Sequence, residues 1–228
     1  MSAVADHPIH LICAGRTDAG VHAREQVAHF ETTSVRSARA WVLGANTALP
    51  RDISLRWAMR VPRHFHARYS AERRTYRYLI LNRRFRGALA DGRAAAVHWP
   101  LDLTRMRDAA LPLIGDHDFS AFRSVFCQAR SARRHVAVLS VERQGEWVTI
   151  EITANAFLHH MVRNLAGLLI EAGLGKLDAD GARRILAGCD RRLAPPTAPA
   201  HGLYFWRVNY PLAFDLPVDR SAIIAPWL

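Results

Sequence analysis

The sequence predicts an α+β fold: a mixed, mainly antiparallel sheet with helices on one face. Three observations carry this. Two strand-like segments, HVAVLSVER (135–143) and WVTIEITA (147–154), are joined by Gln144-Gly145, a hairpin signal. An apolar stripe at helical spacing follows directly, through Leu158, Met161, Val162, Leu165, Leu168 and Leu169. Along the rest of the chain strands pair locally and helices lie between the pairs, an arrangement that segregates helices to one side of a sheet.

The elements read in order as follows. A short apolar strand, Ile9 to Ala14, runs into the loop GRTDAGVHA, and VAHF (27–30) forms a second short strand. Ser34 can cap a helix through about Leu43, with Val35, Ala38, Trp41 and Val42 on one face. Pro50 and Pro62 bracket a further strand, ISLRWAMRV. Tyr76 to Leu81 is a strand of aromatic and branched residues. Residues 103–114 form a helix whose last turn is interrupted by Pro112. Gly173 and Gly175 end the helix that follows the hairpin. A short helix over 179–187 and a last strand, GLYFWRVNY (202–210), complete the chain. Two subdomains are expected, 1–66 carrying the GRTD loop and 67–228 carrying the rest.

With 228 residues, half of them apolar, the chain can bury a core without disulfides or metals. No apolar run approaches the ~20 residues of a membrane span, and the N-terminus lacks the pattern of a signal peptide. Cys13, Cys127 and Cys189 are odd in number and widely spaced, which suits a reducing, cytoplasmic setting. The formal net charge is +11, and Lys176 is the only lysine, so 30 of the 31 basic residues are arginine. Abundant Arg and Ala match GC-rich coding sequence, which accounts for Arg over Lys but not for the positive excess. Such a surface attracts polyanions, and the planar fork of arginine suits phosphate.

The loop Gly15-Arg16-Thr17-Asp18-Ala19-Gly20 carries the chemistry. Two glycines frame a polar tripeptide and allow a tight loop that presents one side chain. Their spacing matches a phosphate loop, but Val21 and His22 replace the Lys and Ser/Thr, and Asp18 would repel phosphate. Asp18 is either a turn-capping residue or a carboxylate used as nucleophile or base. Arg16 is close in sequence, and a nearby cation favours an ionised carboxylate. No HExxH or CxxC motif occurs. On one helix His159 and His160 would point about 100° apart, which disfavours joint chelation. A metal-dependent hydrolase built on Asp18 and His22 is the weakest reading.

Four segments together carry a resemblance. CAGRTDAGVHA with QVAHF, FHARYSAERRTYRYLILN, NAFLHHMVRNLAGLLIEAG and APAHGLYFWRVNYP resemble, in this order, the four characteristic segments of the tRNA pseudouridine synthase A (TruA) family. The resemblance spans about residues 9–215. It implies the pseudouridine synthase fold, two similar α/β subdomains forming a basic cleft. It also implies isomerisation of uridine to pseudouridine at positions 38, 39 and 40 of the tRNA anticodon stem-loop. Neither metal nor organic cofactor is implied, and a homodimer acting on tRNA is. By residue, it implies that Asp18 is the catalytic carboxylate, that Tyr76 meets the target base, and that Arg163 pairs with Asp18. Arg16 would contact RNA and help extrude the base, His22 and Arg24 would extend that surface to phosphates, and Leu203 and Tyr204 would line the base pocket. Without the resemblance, Tyr76 and Tyr78 are equally readable as buried strand tyrosines, Arg163 as a solvated helix charge, and Leu203-Tyr204 as core strand.

One departure stands out. Family members carry a strand and a basic loop, with a YDG…GWQ pattern, ahead of the GRTD segment, and that pattern is not found here. The expectation is a missing first sheet strand and a reduced RNA surface. A non-catalytic tRNA-binding remnant is the alternative reading.

Overall fold

The computed structural model describes residues 1–217. In chain order its helices are α1 (Ser2–Ala5), α2 (Ala38–Ala48), α3 (Leu103–Ala110), α4 (Met161–Gly173) and α5 (Ala179–Gly188). Its strands are β1 (Ile12–Cys13), β2 (His22–Ala23), β3 (Ala28–His29), β4 (Arg73–Asn82), β5 (Ala95–Val97), β6 (Gly115–Asp118), β7 (Arg133–Gln144), β8 (Trp147–Ala154) and β9 (Leu203–Asn209). The fold is α+β with a mixed, mostly antiparallel sheet. The chain divides into two compact units, each discontinuous in sequence. No described helix is long and apolar enough to cross a membrane.

The smaller unit comprises Met1–Arg16, Gln26–Glu72 and, among the described residues, 209–217. Its sheet is the antiparallel pair β1–β3, with Ile12 opposite His29. The strands are shorter than the sequence suggests. The predicted helix also starts later, at Ala38, because Ser37 rather than Ser34 caps it by accepting from the Ala40 N–H at 3.2 Å. The Ser34 hydroxyl is engaged elsewhere, donating to the Ala5 carbonyl at the end of α1. Val35 therefore lies outside α2 and is 77% exposed, while Trp41 and Ala45 form the buried stripe. The predicted strand ISLRWAMRV does not form. The Asn46 side chain binds both backbone groups of Leu55, accepting its N–H at 2.7 Å and donating to its carbonyl at 2.8 Å, so a side chain does what a neighbouring strand would.

The larger unit comprises Thr17–Glu25 and Arg73–Val208. Its seven-stranded sheet runs β2-β9-β4-β8-β7-β6, with β5 added to β4. The hairpin β7–β8 turns at Gly145, whose φ of 57° is the left-handed conformation a tight turn requires. Strand β8 alternates cleanly: Val148, Ile150, Ile152 and Ala154 are buried, and the residues between them are half-exposed. Across the ladder Tyr76 faces Ile152 and Tyr78 faces Ile150, so both tyrosines lie on the buried side. Helix α4 packs on β4, α3 on β7, and α3 touches both α4 and α5. Asp102 caps α3, accepting from Thr104 and Arg105 N–H groups. The helix stops at Ala110 and tightens into a 3₁₀ turn over Leu111–Leu113, as Pro112 dictates.

Three strands have no sequence signal: β2, β5 and β6. They are two to four residues long. Strand β6, GDHD, is polar and sits at the sheet edge, where neither burial nor β propensity marks it.

Candidate active site

Asp18 lies at the start of the larger unit, on the loop leading into β2. The loop closes by a hydrogen bond from the Val21 N–H to the Asp18 carbonyl at 3.1 Å. Gly20 takes a φ of +82°, which a side chain would resist; of the two framing glycines it is the one in the left-handed region. Strand β2 then pairs in parallel with β9, His22 opposite Tyr204, and this ties the loop to the sheet.

Three side chains converge on the Asp18 carboxylate. The Arg163 guanidinium donates from Nη1 to Oδ2 at 3.1 Å. His159 places Nε2 3.2 Å from Oδ1, and His160 places Nε2 3.2 Å from Oδ2. Each carboxylate oxygen thus meets its own imidazole, and one also meets the cation. Arg163 lies in the first turn of α4, away from the buried stripe, and its Nε donates to the Ala198 carbonyl at 2.9 Å. The Ala198 N–H returns a hydrogen bond to the Arg163 carbonyl. Next to it, buried Asn164 donates to the Phe122 carbonyl and accepts from Thr197 and Arg191, which fastens the start of the helix.

The placement of the two histidines differs from the sequence expectation. They do not share a helix. His160 is the N-cap of α4 with a φ of 64°, and His159 precedes it, so the 100° helical offset does not apply. The backbone turn leaves their ring centroids 4.0 Å apart, with each Nε2 3.2 Å from an Asp18 oxygen. Sequence reasoning missed them as site residues. The available signal was their position directly before Met161–Arg163 in NAFLHHMVRN. Burial lowers the His160 pKa, opposed by Asp18 and reinforced by His159, Arg163 and Arg191. Donor atoms of Asp18, His159 and His160 lie within 4.8 Å of one another, a set that suits a divalent cation by ligand type. Arg163 already brings positive charge to the same carboxylate and would oppose one. His22 is not part of this group: its Nε2 lies 3.0 Å from the Gly92 carbonyl, and its ring stacks on Tyr204.

Tyr76 is buried, its ring edge-on to Phe157 at 4.9 Å and tilted against Phe205 at 5.0 Å. Burial pushes its phenol above the ordinary range, with Arg74 opposing and Asp18 adding to the rise, so the hydroxyl is protonated at neutral pH. Tyr78 is fully buried and donates to the Pro199 carbonyl at 2.9 Å, the arrangement of a structural tyrosine.

A family model described as tRNA pseudouridine synthase matches residues 109–211, a stretch that includes His159, His160 and Arg163. Over most of its length the chain is similar to curated proteins named tRNA pseudouridine synthase A. It is 54% identical to that of Methylococcus capsulatus, covering 96% of this chain and 81% of that protein. It is 51% identical to that of Cronobacter sakazakii, covering 95% and 80%, and 50% identical to that of Photorhabdus laumondii, covering 99% and 84%. The chain belongs to the tRNA pseudouridine synthase A family.

In this member of the tRNA pseudouridine synthase A family the other sequence-derived residues sit as follows. Arg16 is exposed. Arg24 lies over the Trp206 ring with its guanidinium carbon 4.6 Å from the centroid. Leu203 and Tyr204 are buried, and the Tyr204 hydroxyl donates to the Arg93 carbonyl at 2.6 Å. His22 and Tyr204 thus form one stacked pair across β2 and β9.

Proposed function

We propose that this chain isomerises uridine to pseudouridine in tRNA, at positions 38, 39 and 40 of the anticodon stem-loop, with Asp18 as the catalytic carboxylate. The observation that carries the reading is the Asp18–Arg163 pair, built by a GRTD loop and an HHMVR helix start in a chain of this family. The N1–C1′ bond of the target uridine breaks, the uracil turns over, and C5 bonds to C1′. C5 then loses its proton and N1 gains one, so the product is an isomer. Asp18 either attacks C1′ or removes the 2′ proton; both roles need an aimed carboxylate with restricted water access. Arg163 holds that carboxylate. Tyr76 presents an aromatic face to the base, a contact worth about 1–3 kcal/mol per stacked base.

The target base must leave its stack, at a cost of a few kcal/mol. Arg16 offsets part of this cost by entering the gap, while His22 and Arg24 extend the contact surface. Leu203 and Tyr204 line the base pocket in this reading. The protein acts in the cytoplasm as a homodimer, without metal or organic cofactor.

Asp18→Ala tests the assignment. Pseudouridine formation, read as tritium release from tRNA carrying 5-tritiated uridine, is expected to fall by at least about a thousandfold, with the melting curve retained. Persistent product from a folded Asp18→Ala protein would overturn it.

A further inference from the structure

We propose that His159 and His160 are positioning residues that hold the Asp18 carboxylate, one imidazole Nε2 set against each oxygen. The inference rests on Asp18 being the catalytic carboxylate.

Three independent features point the same way. The first is the division of partners: His159 Nε2 on Oδ1, His160 Nε2 on Oδ2, both at 3.2 Å. With Arg163 alone, a carboxylate held at Oδ2 is free to swing its other oxygen. A donor on Oδ1 fixes the plane of the group, and alignment of a reacting atom is where much of a rate is won or lost.

The second is the far side of the His159 ring. Its Nδ1 is buried and has no hydrogen-bond partner among the described residues. An N–H there would be an unsatisfied donor, whereas a bare lone pair is the less costly state. The ring therefore carries its proton on Nε2, the atom facing Asp18. Partial burial disfavours the charged form of His160; Asp18 works against this, and His159, Arg163 and Arg191 add to it. Neutral donors orient a carboxylate while withdrawing less of its negative charge than a second and third cation would.

The third is the backbone. His160 occupies the left-handed region at φ 64°, a conformation that non-glycine residues adopt at a cost and that concentrates at working sites. The neighbouring residue is clamped: the His159 carbonyl accepts from the Ser124 N–H at 3.0 Å, and its N–H points to Cys127 Sγ at 3.5 Å. The consequence of this local strain is that two adjacent rings face one way.

The test uses size-matched pairs in the full chain. Leucine keeps the bulk and removes the donor, and glutamine keeps a donor near the position of Nε2. Single-turnover tritium release from 5-tritiated tRNA is measured beside tRNA affinity. His159→Leu and His160→Leu are each expected to slow the step about tenfold or more with affinity unchanged, and His159→Gln and His160→Gln to stay within about threefold of wild type. Leu variants as fast as wild type, while Asp18→Ala is dead, would overturn this inference alone. Product from Asp18→Ala would instead bring down the catalytic reading beneath it. Affinity falling in step with the rate would make the histidines RNA contacts and overturn the proposal. So would activity lost in chelator and restored by zinc. If the Leu variants do not fold, the Gln variants decide: a tenfold loss from either one overturns the proposal.

Discussion

At the scale of single residues, the proposed chemistry depends on how few groups surround one carboxylate, that of Asp18. Asp18 is partly exposed, so the Coulombic value of any one partner is modest; geometry matters more than charge. Tyr76 and Tyr78 illustrate the same point. They are two positions apart on β4 and both buried, yet Tyr78 spends its hydroxyl on the Pro199 carbonyl while Tyr76 sits among aromatic rings. His160 yields a pH prediction. Its folded pKa lies below the ordinary 6.5, chiefly through burial, so the unfolded chain binds its proton more readily. Stability from the neutral ring is therefore complete above about pH 6.5 and is lost as pH falls toward the folded value. Urea midpoints measured from pH 7.5 to 5.5 should decline more steeply for wild type than for His160→Gln.

At the scale of elements, helix α4 is the part that positions the site, and one glycine lets it do so. A Cβ on Gly167 would stand 2.2 Å from the Pro196 carbonyl oxygen. That close approach brings the 196–198 segment onto the helix, where the Ala198 carbonyl and N–H grip Arg163. Two effects compete in Gly167→Ala. Helix propensity would gain about 1 kcal/mol, while overpacking costs about 1–3 kcal/mol. The clash is with backbone, which cannot rotate away, so the cost wins. Gly167→Ala is expected to lower the urea midpoint and also to slow tritium release, since Arg163 loses its support as the segment moves.

At the scale of the whole molecule, charge governs the encounter with substrate. The chain carries a formal +11, nearly all its cations guanidinium groups. Binding to tRNA through phosphates releases counterions, so affinity should fall about a hundredfold or more between 50 and 200 mM salt. Filter binding across that range checks it; a flat response would mean that phosphate contacts contribute little. For the proposed neighbouring target sites, which differ in sequence, recognition is expected to rest on tRNA shape, read at phosphates and 2′-hydroxyls.

The sequence by itself determined the sheet hairpin, the amphipathic course of α4, the short helix α5, the GRTD turn and the family, because each depends on local spacing or a contiguous motif. It misjudged ISLRWAMRV, where Asn46 from an earlier helix bonds both backbone groups of Leu55, and the helix start, where Ser37 competed successfully with Ser34. Only the tertiary structure decided that His159 and His160 share Asp18 with Arg163. That meeting joins residues more than 140 positions apart and turns on one left-handed backbone angle, and neither periodicity nor propensity encodes such a contact.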